Sequence, residues 1–198
     1  SVINFTVPEA AKPLYYHIQN SILEQGHHPL GKFLPSNEGI YKFDQSFFSQ
    51  AKKDQLEHST LKYTKGLVDE IDGSITILAS TDPHSLNSVD PKRVLARSQA
   101  RRKEMGFRRK KIEAGKLMWT IALYGTDAMA EEAGMTLKQY WGQIIKACYL
   151  DTDNPVKEWE KINKTVQKTA QTLCDMNIQS VHVVGKDSNL TLGIGSDK

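Results

Sequence analysis

Apolar positions recur along this chain on two periods, and each switch between them marks an element. A β-rich run at residues 2–5 precedes Pro8 and Pro13, then Leu14, Ile18 and Ile22 at spacing four predict an amphipathic helix that stops at Gly26. Residues 28–34 form a second predicted strand, weakened by Gly31. Asn37 is placed to cap a helix carrying Ile40, Phe43, Phe47 and Phe48, and one further helical stretch runs through Leu56, Leu61, Leu67 and Val68 to Asp72-Gly73. The nearly continuous apolar run 74–79 suits a strand covered on both faces, hence a central one.

The second half repeats the alternation. Asp90-Pro91 opens a basic helix that Gly106 is expected to divide, and residues 117–124 form a fourth apolar strand. Thr126 begins a short helix that Gly134 ends, Thr136 caps the next, Asp153-Asn154-Pro155 opens a long third one, and residues 180–184 and 190–194 pair around Lys186-Asp187-Ser188-Asn189 as a hairpin. The fold class that follows is α/β: a mainly parallel twisted sheet with helices on both faces and a β-hairpin at the C-terminal end. No repeat or Gly/Ser linker divides residues 1–198, so one α/β domain is expected.

Composition changes little: 39% apolar and 25% charged residues describe a folding chain. Its longest apolar runs fall far short of the roughly 20 residues that cross a bilayer. The start lacks both Met and a signal-peptide pattern, so Ser1 is expected not to be the natural beginning. Two cysteines, Cys148 and Cys174, supply no disulfide framework, which points to reduced thiols and a cytoplasmic protein.

Charge changes the picture more. Between residues 92 and 116, Lys92, Arg93, Arg97, Arg101, Arg102, Lys103, Arg108, Arg109, Lys110, Lys111 and Lys116 oppose only Glu104 and Glu113, a net +9. With +3 for the whole chain, the remainder carries −6. Arg93, Arg97 and Arg101 lie four apart on one helical stripe, and with Arg102 they define the candidate basic surface. Its readings are a solvated or internally docked helix face, or a binding module for nucleic acid or another anionic ligand. No exposed aromatics interleave the stripe, which argues against nucleic acid.

Other chemistry is sparse. His17, His27, His28, His58, His84 and His182 form no HExxH or HxH pair that would converge on a metal. Gly193-x-Gly195 resembles the start of a phosphate-binding loop but lacks the third glycine and a following helix, and no Gly-x-Ser-x-Gly elbow exists. No catalytic, cofactor-binding or metal-binding residue is assigned.

The passage Gly115-Lys-Leu-Met-Trp-Thr-Ile-Ala-Leu-Tyr-Gly-Thr-Asp-Ala-Met-Ala-Glu-Glu-Ala-Gly-Met-Thr-Leu-Lys-Gln-Tyr resembles a segment of the thermophilic-type metalloaminopeptidases, the aminopeptidase S, T and II group. Pro8-Glu-Ala-Ala-Lys-Pro-Leu, Gln25-Gly-His-His-Pro, Val89-Asp-Pro-Lys-Arg, Asp153-Asn-Pro with Trp159, and Asn189-Leu-Thr-Leu agree with it. Tyr124-Gly125-Thr126 stands where that family usually has Tyr-Pro-Thr. The resemblance implies the amino-terminal α/β domain of an enzyme that removes amino-terminal residues from peptide substrates. It further implies two divalent metal ions (Zn, Co, Mn or Mg) held by a carboxy-terminal catalytic domain absent from this chain, and a homodimer at full length. On that expectation the 198-residue chain alone is inactive.

Overall fold

The computed structural model describes residues 1–37 and 40–194. They form two compact units, Ser1–Ile144 and Ile145–Lys198. Gly195 of the Gly193-x-Gly195 pair lies outside the described residues.

In the first unit, β1 (Val2–Pro8), β2 (His28–Leu34), β3 (Gly73–Leu78) and β4 (Met118–Leu123) make a four-stranded sheet in the order β2-β1-β3-β4, every neighbouring pair parallel. Parallel neighbours need crossovers, and the helices between them supply these. The chain makes α1 (Lys12–Glu24), α2 (Phe43–Gln50), α3 (Lys53–Glu57), α4 (Leu61–Glu70), α5 (Pro91–Ala100), α6 (Arg102–Glu113), α7 (Asp127–Glu132) and α8 (Leu137–Ala147).

Alternation along β1 sends Phe5 and Val7 to one face, where both are fully buried among Ala11, Ile22, Ile77 and Ala79. Leu14, Tyr15 and Ile18 of α1 close over this cluster. The opposite face is polar on the inner strands, where Asn4, Thr6, Ser74 and Thr76 alternate with the core residues. There α6 contributes Arg108, whose Nη1 donates to Ser74 Oγ at 3.0 Å. The run 74–79 is interior to the sheet as its composition predicts, whereas β4, equally apolar, is outermost and leaves Trp119 and Ile121 half exposed.

Three local expectations shift. The basic stretch divides at Arg101, and Gly106 sits inside α6 without breaking it. The stretch from Leu56 to Val68 is two helices, α3 and α4, separated at His58 to Thr60. Asn37 does not abut its helix: α2 starts at Phe43, and Asn37 Oδ1 accepts the Asp44 amide at 3.3 Å across the intervening turn.

The second unit holds α9 (Pro155–Asp175) and a hairpin of β5 (Ser180–Gly185) and β6 (Ser188–Gly193). Asn154 caps α9 by accepting the Lys157 amide at 3.1 Å, and Tyr149 meets Trp159 edge-on at 6.0 Å.

Candidate functional site

In an open parallel sheet, ligands settle outside the carboxyl ends of the strands, where loops carry the functional groups. Here the segment after β3, Thr81-Asp82-Pro83-His84, supplies two of them. Pro83 fixes its own backbone angle, and Asp82 Oδ1 accepts the His84 amide at 3.1 Å, a local turn that Asp favours. The other carboxylate oxygen of Asp82 accepts from Lys42 Nζ, at the start of α2, at 2.8 Å. Hydrogen bonding to the Lys42 ammonium is the main cause that holds the Asp82 carboxyl below its ordinary range, against a smaller opposing effect of burial.

His84 turns the other way. Its Nε2 lies 2.9 Å from Glu132 Oε2 on α7, and both side chains are more than half exposed. Thr126 ties this rim to the sheet: its hydroxyl donates to the Ser80 carbonyl and accepts the Met129 amide, which caps α7. Gln45 Nε2 donates to Ser88 Oγ at 2.7 Å and fastens the same loop to α2. The result is a solvent-facing polar rim in which Lys42 pairs with Asp82 and His84 with Glu132. In the sequence His84 is one of six histidines, and its partner Glu132 lies 48 positions away. The available signal was Asp-Pro immediately after a buried strand.

The candidate basic surface is arranged differently from a free stripe. Arg93 donates through Nε to the Phe48 carbonyl at 2.5 Å and through Nη2 to the Ala51 carbonyl, at the end of α2. Arg97 Nη1 donates to the His58 carbonyl at 2.6 Å, at the end of α3, with its guanidinium over the Phe47 ring at 5.5 Å. Lys111 Nζ donates to the carbonyls of Val68, Asp69 and Ile71 at 2.8, 3.0 and 2.7 Å, at the end of α4. The last carbonyls of a helix lack internal donors and carry partial negative charge, so three successive helices end on cations from α5 and α6. Arg101 Nε donates to Glu104 Oε2 at 3.2 Å, and Arg102 is exposed. Replacing Lys111 by Met keeps the aliphatic packing and strips three carbonyls of a donor. We expect a loss of about 1–2 kcal/mol in urea unfolding, and a change near zero would show that water replaces the ammonium at no cost.

Glu104 is the acceptor at the opposite pole. With 6% of its surface exposed, it takes the Thr60 amide at 2.7 Å, Ser59 Oγ at 3.0 Å and Thr60 Oγ1 at 3.2 Å, all at the start of α4. Burial pushes its carboxyl up, but the bonds from Thr60, Ser59 and Arg101 together outweigh that and hold it below the ordinary value.

Among the described residues, no three or more His, Cys, Asp or Glu side chains converge as a metal-binding group. No helix of the described residues is long and apolar enough to cross a membrane.

Residues 2–198 match the model of a family described as thermophilic metalloprotease (M29). Aminopeptidase PepS of Streptococcus thermophilus is 25% identical over 124 residues, 58% of this chain and 30% of that protein. Aminopeptidase AmpS of Bacillus subtilis (strain 168) is 25% identical over 123 residues, with the same shares. Aminopeptidase T of Thermus aquaticus is 25% identical over 126 residues, 59% of this chain and 30% of its own. The solved structure of wild-type AmpT from Thermus thermophilus superposes with a TM-score of 0.71 at 18% identity, over 98% of this chain and 48% of that one. At such identity the likeness concerns the fold alone. The matched part spans less than half the length of each of these relatives.

Proposed function

Because the chain belongs to the thermophilic metalloprotease (M29) family, we propose that it is the amino-terminal α/β domain of a metal-dependent aminopeptidase, which removes amino-terminal residues from peptides. The observation that carries this reading is the family match over residues 2–198 together with relatives that are aminopeptidases.

Family membership implies divalent metal ions, and the described residues do not fit them. A hydrolytic metal centre needs three or more converging carboxylate or imidazole ligands. The His84–Glu132 pair offers two such groups, and they already bond each other. We therefore assign the metal ions to a carboxy-terminal catalytic domain and route no step of hydrolysis through this chain. The domain's own part is to line and shape the substrate chamber, with the rim of Lys42, Asp82, His84 and Glu132 offered to polar groups of the peptide. On this reading the partner is the catalytic domain, the full-length assembly is a homodimer, and the free thiols of Cys148 and Cys174 suit the cytoplasm. The alternative, a nucleic-acid or anionic-ligand module that uses the basic helix Lys92 to Lys116 with Arg93, Arg97, Arg101 and Arg102 as its surface, is weakened because Arg93, Arg97 and Arg101 already hold internal partners.

The test is direct. With Co²⁺, Zn²⁺ or Mn²⁺ added, the 198-residue chain is expected to hydrolyse no aminoacyl anilide, and equilibrium dialysis is expected to find no stoichiometric metal on it. A chain extended by a catalytic domain is expected to hydrolyse the anilide and to bind metal. Turnover or tight metal binding by the short chain would refute the assignment.

A further inference from the structure

The cations of α6 that point away from the domain, Arg102 of the candidate basic surface among them, are left without an internal partner of the kind that holds Arg93, Arg97 and Arg101. Glu104, Arg108 and Lys111 occupy the inward side through the bonds already described. On a helix of 3.6 residues per turn, Arg102, Lys103, Gly106, Arg109, Lys110 and Glu113 then share the outward side. Arg102, Lys103 and Lys110 are exposed and have no carboxylate partner among the described residues, while Arg109 Nε lies 3.6 Å from Glu113. In the middle, a Cβ added to Gly106 would meet nothing within 4 Å, so the helix backbone is open to close approach there.

We propose that this face docks an acidic α-helix of a partner protein. The cations at 102 and 109, and at 103 and 110, are seven residues apart, about 10.5 Å along the axis. That is the heptad spacing of carboxylates on one side of a second helix, and the glycine lets the two backbones come together. Glu113, 3.6 Å from Arg109, leaves a mixed rather than uniformly cationic face, which a protein helix can match residue by residue with a basic side chain among its acidic ones and a uniform phosphate backbone cannot. The absence of an exposed aromatic on this face also removes the stacking that single-stranded nucleic acid needs. A second copy of the chain is disfavoured, because self-pairing would set eight cations against two carboxylates.

The probe is an alanine-based helical peptide with glutamates at heptad spacing on one side, compared with an isomer of identical composition whose glutamates are spread around the helix. The chain is expected to bind the one-sided peptide about tenfold more tightly by fluorescence anisotropy. Arg102→Gln with Lys110→Gln should abolish that preference. Gly106→Gln should abolish it as well while leaving the fold intact, because glutamine is the better helix former and the position is open. The proposal is overturned by equal binding of the two peptides, by no binding of the one-sided peptide, or by undiminished binding to the Gly106→Gln chain. Tighter binding of a short RNA or DNA duplex, with its steep salt dependence, would reassign the face to nucleic acid and equally overturn it. None of these outcomes depends on the peptidase assignment.

Discussion

Glu104→Ala is expected to cost about 3 kcal/mol of stability and to lower the melting temperature by ~6–12 °C. The carboxylate gathers four donors from two elements: Thr60 amide, Thr60 hydroxyl, Ser59 hydroxyl and Arg101 guanidinium. Removing it breaks four hydrogen bonds to a buried carboxylate, leaves the space it filled empty and takes the acceptor from the partly buried donors at the start of α4. The same residue sets an acid limit. Its folded-state pKa lies below the ordinary 4.5, so the native state holds the proton more weakly than the unfolded chain does. The stabilisation is therefore complete above about pH 4.5 and is lost as pH falls through the lowered folded-state value. Thermal melts from neutral pH downward should show the wild type and the Ala variant converging as this part of the acid destabilisation disappears from the variant. Parallel curves would mean that Glu104 does not titrate with folding.

Gly31→Val is expected to destabilise by about 2–3 kcal/mol, an overpacking cost, although valine is intrinsically better suited than glycine to a strand. Where β2 passes under α1, a Cβ at residue 31 would fall 2.1 Å from Tyr15 Oη and 2.6 Å from Phe5 Cζ. Tyr15 can yield in part, but Phe5 is fully buried and packs against Tyr15 in a tilted pair with ring centroids 4.7 Å apart, so the strain enters the core. Combining Gly31→Val with Tyr15→Leu should recover part of the loss, because the shorter side chain vacates the space, and guanidinium unfolding of the two single variants and the double variant measures that coupling. Additive losses would show that Tyr15 is not what the new side chain meets.

Much of this molecule is legible in its residues because the signals are local. The second strand, residues 28–34, follows from its composition alone, and the interior place of β3 follows from its unbroken apolar run. Asp90 before Pro91, Thr126 and Asn154 each cap the helix predicted for them, since a side-chain oxygen next to the first turn needs no distant partner. The family resemblance carried by residues 115–140 is likewise a property of the order of residues, and the match over residues 2–198 agrees with it.

Only the tertiary structure decided where the charges go. Arg93 meets Phe48, Lys111 meets Val68 and Glu104 meets Thr60 across more than forty positions, as does His84 with Glu132, and no periodicity connects such pairs. The apparent cationic stripe at residues 93, 97 and 101 is spent on carbonyls and one buried carboxylate, whereas the unassigned outward face of α6 remains open. Gly106 shows the same division: its high helical cost predicts a break, yet the chain turns at Arg101, where Arg97 and Glu104 bond the link between the end of α3 and the start of α4. A helix propensity is worth about 1 kcal/mol at one residue, and several partly buried hydrogen bonds together exceed it.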